Sequence, residues 1–394
     1  MNFIFISPHF PKTYWNFCDR LKRNGVNVLG IGDASYNSLD EELKQSLTEY
    51  YYVQNMQDYD QMYRAVAYFA FKYGKIDWIE SNNEFWLEQD AKLRTDFHVQ
   101  TGIQDDAIGF IKEKALMKEI YQSANIPTAR QHVISTLEAA YSFIEKVGYP
   151  VIVKPNIGVG ATNIWKLENH QDLENFFNNL PSVSYVMEEF IEGDIYSYDA
   201  IYNSAYEPLF ENMTVWPPSI ADIVTKDLDL MYYTCPEVHP SLRKLGRACV
   251  KAFGAFSRFV HLEFFRLKKA RKGLGEVGDF VALEVNMRPP GGYTPDMMNF
   301  AHSSDVYQIW ADMVAFDQNY KESGKEKYYC VYASRKDGHV YQRTHAQILE
   351  TYRANLVMQE EMPEMNWPQM GRYMYTAKLK NIEEVEAFVR FVQG

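Results

Sequence analysis

The alternation of hydrophobic and polar positions divides the chain into three predicted regions. In the first, short apolar runs such as "NFIFIS" and "VNVLGIG" alternate with stretches whose apolar residues recur at helical spacing. A strand–helix–strand order requires crossover connections, and it therefore predicts a parallel sheet. We predict that residues 1–110 form a small, doubly wound, Rossmann-like α/β domain.

The pattern changes character after this region. Residues 111–320 mix helices with strands that follow one another directly, and the stretches "RFVHLEFFRL" and "DFVALEVNMRP" are predicted to pair as a hairpin. Residues 321–394 contain the strand patterns "KYYCVYAS" and "RYMYTAKL" and end in a helical pattern. The predicted fold class is thus α/β followed by α+β, with the last segment packed on the core.

Composition and charge narrow the classes of function. The net charge of -12 opposes a nucleic-acid-binding surface, which would carry a basic footprint. No apolar run reaches the ~18 residues of a membrane span, and the first residues lack the basic start of a signal peptide. The four cysteines show no CxxC spacing. We expect a cytoplasmic protein that binds neither nucleic acid nor membrane.

Acidic residues on the two hairpin strands form a candidate metal site. Alternate residues of a strand share a face, so Glu284, Asn286 and Arg288 lie together, and the hairpin can place Glu263 beside Glu284. Carboxylate and amide oxygens suit Mg²⁺. An ordinary solvent-exposed face explains the same pattern equally well.

A lysine before a glycine loop forms a second candidate site. Lys154 ends an apolar strand and is followed by Gly158 and Gly160, the reverse of the order in the common phosphate loop. An ammonium in this place can contact nucleotide phosphates while the loop covers them. The alternative is a lysine that is simply exposed at a strand end. Lys114 begins a helix some 40 residues earlier.

Together these motifs resemble those of the ATP-grasp superfamily, and in particular its carboxylate–amine ligases and the large subunit of carbamoyl-phosphate synthase. The resemblance covers about residues 110–320, with a flap subdomain at about 126–193, and residues 1–110 resemble the pre-ATP-grasp domain. The motifs occur in the family's order: Lys114, Lys154 with its glycine loop, the hinge "EEFIEG" at 188–193, Glu263, and "EVNMR" at 284–288.

The resemblance implies a role for each motif. ATP and one or two Mg²⁺ ions are the implied cofactors, with Mn²⁺ as an alternative metal. The implied ATP-binding residues are Lys114, Lys154, Gly158, Gly160, Glu188, Glu189 and Ile191, the hinge acting chiefly through backbone groups. The implied metal ligands are Glu263, Glu284 and Asn286, and the implied catalytic residues are Lys154 and Arg288. Many members carry a ribose-binding glutamate where this chain has Ile195, so Asp194 is the candidate substitute.

The resemblance also implies a reaction, in which a small-molecule carboxylate is joined to an amine through an acyl-phosphate. The stretch "RPPGGYTP" is similar to a run in ligases of this kind, including those that join amino acids, and Gly291 and Gly292 would admit a substrate carboxylate. A tight turn into a helix is the alternative for this stretch. Bicarbonate as the phosphoryl acceptor and a non-catalytic ATP-binding module remain alternative functions. A homodimer is expected on general frequency alone.

Two further segments have open roles. In "ESNNEFW", Glu80, Asn83 and Glu84 end a parallel strand, where ligands commonly bind, although Asn82 or Asn83 as a helix cap is the simpler explanation. The loop "KKARKGLGEVG" at 268–278 is interpreted as a surface hairpin rather than a substrate contact.

Overall fold

The fold comprises three β-sheets, which a computed structural model describes over residues 1–158, 163–217, 223, 226–320 and 324–394. A parallel sheet comes first in the chain, and a small and a large antiparallel sheet follow it. The predicted class, α/β followed by α+β, is confirmed. The domain boundaries stay a prediction.

The first sheet is parallel and has helices on both faces. Its strands are β1 (Asn2–Ile6), β2 (Asn27–Gly32), β3 (Glu49–Tyr52) and β4 (Trp78–Glu80), in the order β3-β2-β1-β4. Its helices are α1 (Trp15–Arg23), α2 (Glu41–Ser46), α3 (Tyr59–Tyr73) and α4 (Leu87–Asp96), with 3₁₀ turns at Lys12–Tyr14, Tyr36–Ser38 and Glu84–Trp86. Successive residues of β1 point to opposite faces, so Phe3 and Phe5 enter one core and Ile4 and Ile6 another.

The second sheet is small and antiparallel. Its strands are β5 (Gln131–Val133), β6 (Val151–Pro155), β7 (Trp165–Leu167) and β8 (Tyr185–Glu189), in the order β5-β8-β6-β7. The helices of this region are α5 (Gly109–Lys112), α6 (Lys114–Ser123), α7 (Leu137–Val147) and α8 (His170–Asn178). A separate apolar core, which includes Val151, Val153 and Leu173, lies under this sheet.

The third sheet has eight antiparallel strands in the order β13-β12-β9-β10-β11-β14-β16-β15. These are β9 (Gly193–Tyr202), β10 (Pro208–Trp216), β11 (Met231–Thr234), β12 (Arg258–Leu267), β13 (Phe280–Asn286), β14 (Tyr329–Arg335), β15 (Leu356–Glu361) and β16 (Tyr373–Leu379). The described helices here are α9 (Pro240–Ala252), α10 (Thr294–His302), α11 (Val306–Phe316), α12 (His345–Thr351), α13 (Trp367–Met370) and α14 (Ile382–Gln393), with a 3₁₀ turn at Glu364–Asn366.

The C-terminal segment is more closely integrated than its sequence pattern predicts. Its strands β14, β16 and β15 hydrogen-bond into the large sheet through β11 instead of forming a separate layer. The edge strand β15 was not predicted, because an edge strand needs no clean alternation and "LVMQEE" has none. Strand β11 is only four residues long.

The described residues include no helix long enough and apolar enough to cross a lipid bilayer. All four cysteines are buried without disulfide partners. Burial raises the pKa of the Cys235 thiol to about 12, so this thiol is neutral and unreactive at neutral pH.

Aromatic packing joins the first sheet to the large one. The Trp310 ring on α11 packs edge-on against Phe3 and Phe17, with centroids 5.6 Å and 4.9 Å away. Such edge-to-face pairs add to the stabilisation from burial. Helix α11 therefore packs between β1 of the first sheet and strands of the large sheet, in one core that also includes Ile201 and Phe259.

A buried ion cluster strengthens this junction. Arg258 at the start of β12 donates to the Glu80 carboxylate at 2.9 Å and to the Met287 carbonyl at 2.6 Å. The Arg94 guanidinium lies 3.6 Å from the same carboxylate, and all three charged side chains are almost fully buried. Glu80 is thus part of the domain junction.

We predict that Arg258→Met lowers the free energy of unfolding by about 3–5 kcal/mol, because it leaves the buried Glu80 with one distant partner. Urea unfolding measures this change. Arg64→Met is the matched control: Arg64 pairs with Asp60 at 2.8 Å on the exposed surface, where water and salt screen the pair, so its loss should cost far less. Equal costs for the two variants would contradict the assignment.

Candidate active site

Two carboxylates face each other across neighbouring strands of the large sheet. Strands β12 and β13 pair with Glu263 directly opposite Glu284, and with His261 opposite Asn286. The register shifts immediately after Glu263, and such bulges re-aim side chains beside functional sites. The structure thus has the strand pairing that the sequence pattern predicts, with Glu263, Glu284 and Asn286 on adjacent positions.

The electrostatic environment of these carboxylates favours a cation. Burial and the negative charge of Glu263 raise the pKa of Glu284. Burial also opposes ionisation of Glu263, but the hydrogen bond and charge of His261 outweigh it and leave the Glu263 pKa lowered. Among the ion pairs of the described residues, Glu284 has one partner, the Lys114 ammonium, which lies 3.6 Å from its carboxylate. A further cation would therefore relieve the repulsion between the two carboxylates.

The metal-ligand set is nevertheless small. Within the described ranges, no group of three or more histidine, cysteine, aspartate or glutamate side chains is arranged to hold a metal ion. The candidate ligands are two carboxylates and the amide of Asn286. Such a set suits Mg²⁺, which keeps several waters and phosphate oxygens in its coordination shell.

A pair of lysines shares one buried carboxylate on the small sheet. The Glu188 carboxylate on β8 lies 2.7 Å from the Lys154 ammonium and 3.1 Å from that of Lys118. Burial opposes the charge of Glu188, but Lys118 and Lys154 hold its pKa down to about 2. Burial also lowers the pKa of Lys118, whereas Glu188 and Glu284 outweigh burial at Lys154 and raise its pKa. Lys154 is therefore held as a cation by Glu188, and it interacts electrostatically with Glu284 and Glu263.

Lys114 connects the small sheet to the large one. The backbone amide of Lys114, at the start of α6, donates to the Asn156 carbonyl at 3.0 Å, just beyond β6. Its ammonium donates to the Gly158 carbonyl at 3.3 Å. Lys114 thus lies between the predicted phosphate loop and Glu284.

Arg288 is held by the first domain. Its guanidinium lies 3.3 Å from the carboxylate of Glu84, which also binds the Lys112 ammonium at 2.9 Å. The Asn83 side chain caps the turn that begins at Glu84, so the capping explanation is correct for Asn83. Of the acidic residues in "ESNNEFW", Glu84 reaches the site and Glu80 does not.

Known proteins share this combination of sequence and fold. Residues 112–225 match the family model of the ATP-grasp domain. This part of the chain is thus similar to the ATP-grasp domain. The matched span includes Lys114, Lys154 and the hinge, and the predicted fold is thereby confirmed.

Individual relatives carry more specific names. The L-arginine-specific L-amino acid ligase of Bacillus subtilis is 25% identical over 230 residues, which are 56% of this chain and 53% of the relative, so the match spans about half of that protein. The structure is similar to that of an L-amino acid ligase from Bacillus licheniformis, with a TM-score of 0.72, 14% identity and coverage of 99% and 96% of the two chains. It is also similar to the biotin carboxylase domain of Hydrogenobacter thermophilus 2-oxoglutarate carboxylase, in complex with MgADP, ADP and bicarbonate (TM-score 0.66, 14% identity, coverage 95% and 85%).

The hinge of the ATP-grasp domain is fixed by its side chains. The Glu189 carboxylate accepts hydrogen bonds from the Arg130 backbone amide at 2.7 Å and from the Arg130 and Arg271 guanidinium groups at 2.5 and 3.2 Å. Ile191 is buried against Leu267 and Val281. These side chains stabilise the hinge, and binding of adenine by its backbone stays a prediction.

The loop at 268–278 contacts this hinge. Its interpretation as a surface hairpin did not predict this contact. Lys268 pairs with Asp194 at 2.5 Å, and Lys269 pairs with Glu192 at 2.7 Å. Arg271 reaches Glu189 and also donates to the Val147 carbonyl at 3.1 Å. The loop therefore joins the large sheet to the flap subdomain, and Asp194 already has a cationic partner.

The predicted glycine positions are only partly described. Gly158 is the last described residue before 159–162, and Gly160 lies outside the described residues. Gly291 accepts a hydrogen bond from the Thr294 hydroxyl at 2.9 Å, at the turn into α10. Gly292 has a φ of +62°, which suits glycine in this turn. The turn alternative describes this stretch, and contact with a substrate stays a prediction.

Three residues of the site were not predicted from the sequence. Lys118 follows Lys114 by one helical turn, and His261 precedes Glu263 by two strand positions, so periodicity could have indicated both. Asp199 lies opposite His261 on β9 and becomes evident only from strand pairing.

We predict that Glu188→Gln lowers the free energy of unfolding at neutral pH and that the loss shrinks in acid. The folded-state pKa of Glu188 is depressed, to about 2 from an ordinary value of 4.5. Its stabilisation is therefore present above pH 4.5 and is lost as the pH falls toward 2. Urea unfolding of the parent and the variant at several pH values measures the difference. A difference that is constant from pH 7 to pH 3 would contradict the ion-pair assignment.

Proposed function

We propose that the chain is an ATP- and Mg²⁺-dependent ligase that joins a small-molecule carboxylate to an amine and releases ADP and phosphate. The observation that carries this proposal is the ion pair of Lys114 with Glu284, with Lys154 close enough to interact electrostatically with Glu284 and Glu263. Two ammonium groups beside two carboxylates suit phosphates on one side and a divalent cation on the other. Phosphoryl transfer depends mainly on such positioning and charge neutralisation.

The metal ligands would be Glu263, Glu284 and Asn286. The raised pKa of Glu284 beside Glu263 supports this assignment, because two adjacent carboxylates are stabilised by a shared cation. One or two Mg²⁺ ions there would neutralise charge on the phosphates. Mn²⁺ has similar ligand preferences and would serve as a spectroscopic substitute.

The remaining residues would position the reactants. Lys154, held by Glu188, and Lys114 would bind the phosphates of ATP. The substrate carboxylate oxygen would attack the γ-phosphorus, the bond to the ADP oxygen would break, and an acyl-phosphate would form. The amine nitrogen would then attack the acyl carbon, lose a proton, and displace inorganic phosphate. Arg288, oriented by Glu84, would stabilise the transferred phosphoryl group.

Amino acids are the proposed substrate class. The name of the Bacillus subtilis relative supports this, although the match covers about half of that protein. The surroundings of the Arg288–Gly292 turn support it as well. The Tyr293 hydroxyl there donates to the Glu360 carboxylate, and Lys12 of the first domain lies 3.6 Å from the same carboxylate. Charges of both signs beside the turn suit a zwitterionic substrate.

We predict that ADP and phosphate are released only when ATP, Mg²⁺, an amino acid carboxylate and an amine are present together. A coupled assay with pooled substrates measures this release. Glu284→Ala is expected to lower it roughly a hundredfold or more, because metal-ion stabilisation of the phosphoryl transition state is worth several kcal/mol. Glu168→Ala, which removes a carboxylate exposed on the surface, is the control and should leave the rate unchanged.

The same assay separates the alternative functions. Release with bicarbonate alone, without any amine, would replace the proposed reaction by bicarbonate phosphorylation. Bound ATP without release in any pool would favour the non-catalytic module.

A further inference from the structure

A continuous chain of hydrogen bonds connects the interior of the large sheet to Glu263. The Asp199 carboxylate on β9 lies 2.6 Å from Nδ1 of His261, and Nε2 of His261 lies 3.2 Å from the Glu263 carboxylate. Asp199 is fully buried, the His261 side chain is 6% exposed, and Glu263 is 27% exposed. The chain therefore starts in the core and ends at the side chain that faces the site.

The inner end of this chain is fully anchored. The second oxygen of Asp199 accepts hydrogen bonds from Ser197, Asn212 and Thr214, at 3.0, 2.9 and 3.2 Å. Asn212 in turn is bound by His302 at 2.8 Å. With so many fixed donors, Asp199 cannot rotate, and it holds the imidazole of His261 in one orientation.

Such a network is a costly way to fill the centre of a sheet. Strands β12, β9 and β10 are adjacent inner strands of the large sheet. Buried polar groups there must be fully paired, and apolar side chains would fill the same space at lower cost. Stability alone therefore does not explain the network, whereas its exposed end at Glu263 suggests a role in the site.

We propose that His261 is a positioning residue that orients the Glu263 carboxylate for metal binding. Both ring nitrogens lie within hydrogen-bond distance of a carboxylate, so the imidazole bridges one Asp199 oxygen and one Glu263 oxygen. This leaves the second oxygen of Glu263 for the cation. Hydrogen-bond partners behind a metal ligand fix its orientation and its affinity for the metal. The inference rests on the proposed function, because it assumes that Glu263 is a metal ligand.

Two substitutions separate the two contacts of His261. In His261→Asn, the amide nitrogen replaces Nδ1 and keeps the Asp199 partner, but the side chain is too short to reach Glu263. In His261→Gln, the longer amide replaces Nε2 and can reach Glu263. Thr376→Val is the matched control, because Thr376 is fully buried in the same sheet and its hydroxyl contacts only the Met374 sulfur among the described hydrogen bonds.

The readout is the affinity for Mn²⁺ in the presence of ADP, measured by electron paramagnetic resonance on the full chain, with thermal unfolding beside it. We expect His261→Asn to weaken Mn²⁺ binding by about 10–100-fold. His261→Gln should stay closer to the parent, and Thr376→Val should match it. A purely structural role for His261 would instead leave the Mn²⁺ affinity of folded His261→Asn unchanged, and this result would overturn the inference.

Two further outcomes keep the inference distinct from the proposed function. If the parent binds no Mn²⁺ with ADP, both the proposed function and the inference are wrong. If the parent binds Mn²⁺ and the His261 variants bind it with the same affinity, the inference alone is wrong. Should His261→Asn not fold, Asp199→Asn leaves the imidazole in place but weakly anchored, and we expect reduced Mn²⁺ affinity. An unchanged affinity in that variant would equally overturn the inference.

Discussion

The candidate site depends on the apposition of Glu263 and Glu284. Two like charges at paired positions of adjacent strands repel each other strongly when they are partly removed from water. The protein offsets this repulsion with three basic side chains: His261 behind Glu263, Lys114 beside Glu284, and Lys154 on the small sheet. In the proposed function, a divalent cation would complete the balance and would bring phosphates to the lysines. Charge neutrality would thus link the proposed metal binding to the proposed nucleotide binding.

The geometry of this balance requires all three sheets. The large sheet supplies the carboxylates, and the small sheet supplies Lys154 together with Glu188, the counter-ion that keeps this lysine in place. The first domain supplies Glu84, which orients Arg288, and the Glu80–Arg258 pair keeps that domain docked. The loop at 268–278 then joins the hinge of the flap subdomain to the large sheet. Each region thus contributes one side of the site and one contact that fixes its own position.

Local periodicity was sufficient to predict much of this arrangement. The period of two along β12 and β13 places Glu284 and Asn286 on one face. It also allows the pairing of Glu263 with Glu284 to be predicted from the sequence. The alternation of strands and helices in residues 1–110 likewise predicts the parallel sheet.

Contacts that depend on tertiary docking could not be predicted from the sequence. Asp199 is an ordinary strand residue until β9 is paired with β12, and Glu84 is an ordinary turn residue until the first domain packs beside Arg288. The loop at 268–278 is largely exposed, as its interpretation as a surface hairpin predicts, but the pairing of its cations with the acidic hinge could not be predicted. In each case the partner lies far away in sequence, and no local sequence pattern shows that the two residues are close in space.

The most direct measurement is the affinity of the full chain for ATP by calorimetry, with Mg²⁺ and with a chelator in its place. If Glu263 and Glu284 form a metal site that is shared with the phosphates, ATP binds tightly with Mg²⁺ and much more weakly without it, because phosphates and carboxylates then repel each other. Equal affinity in both conditions, or no binding in either, would contradict the account.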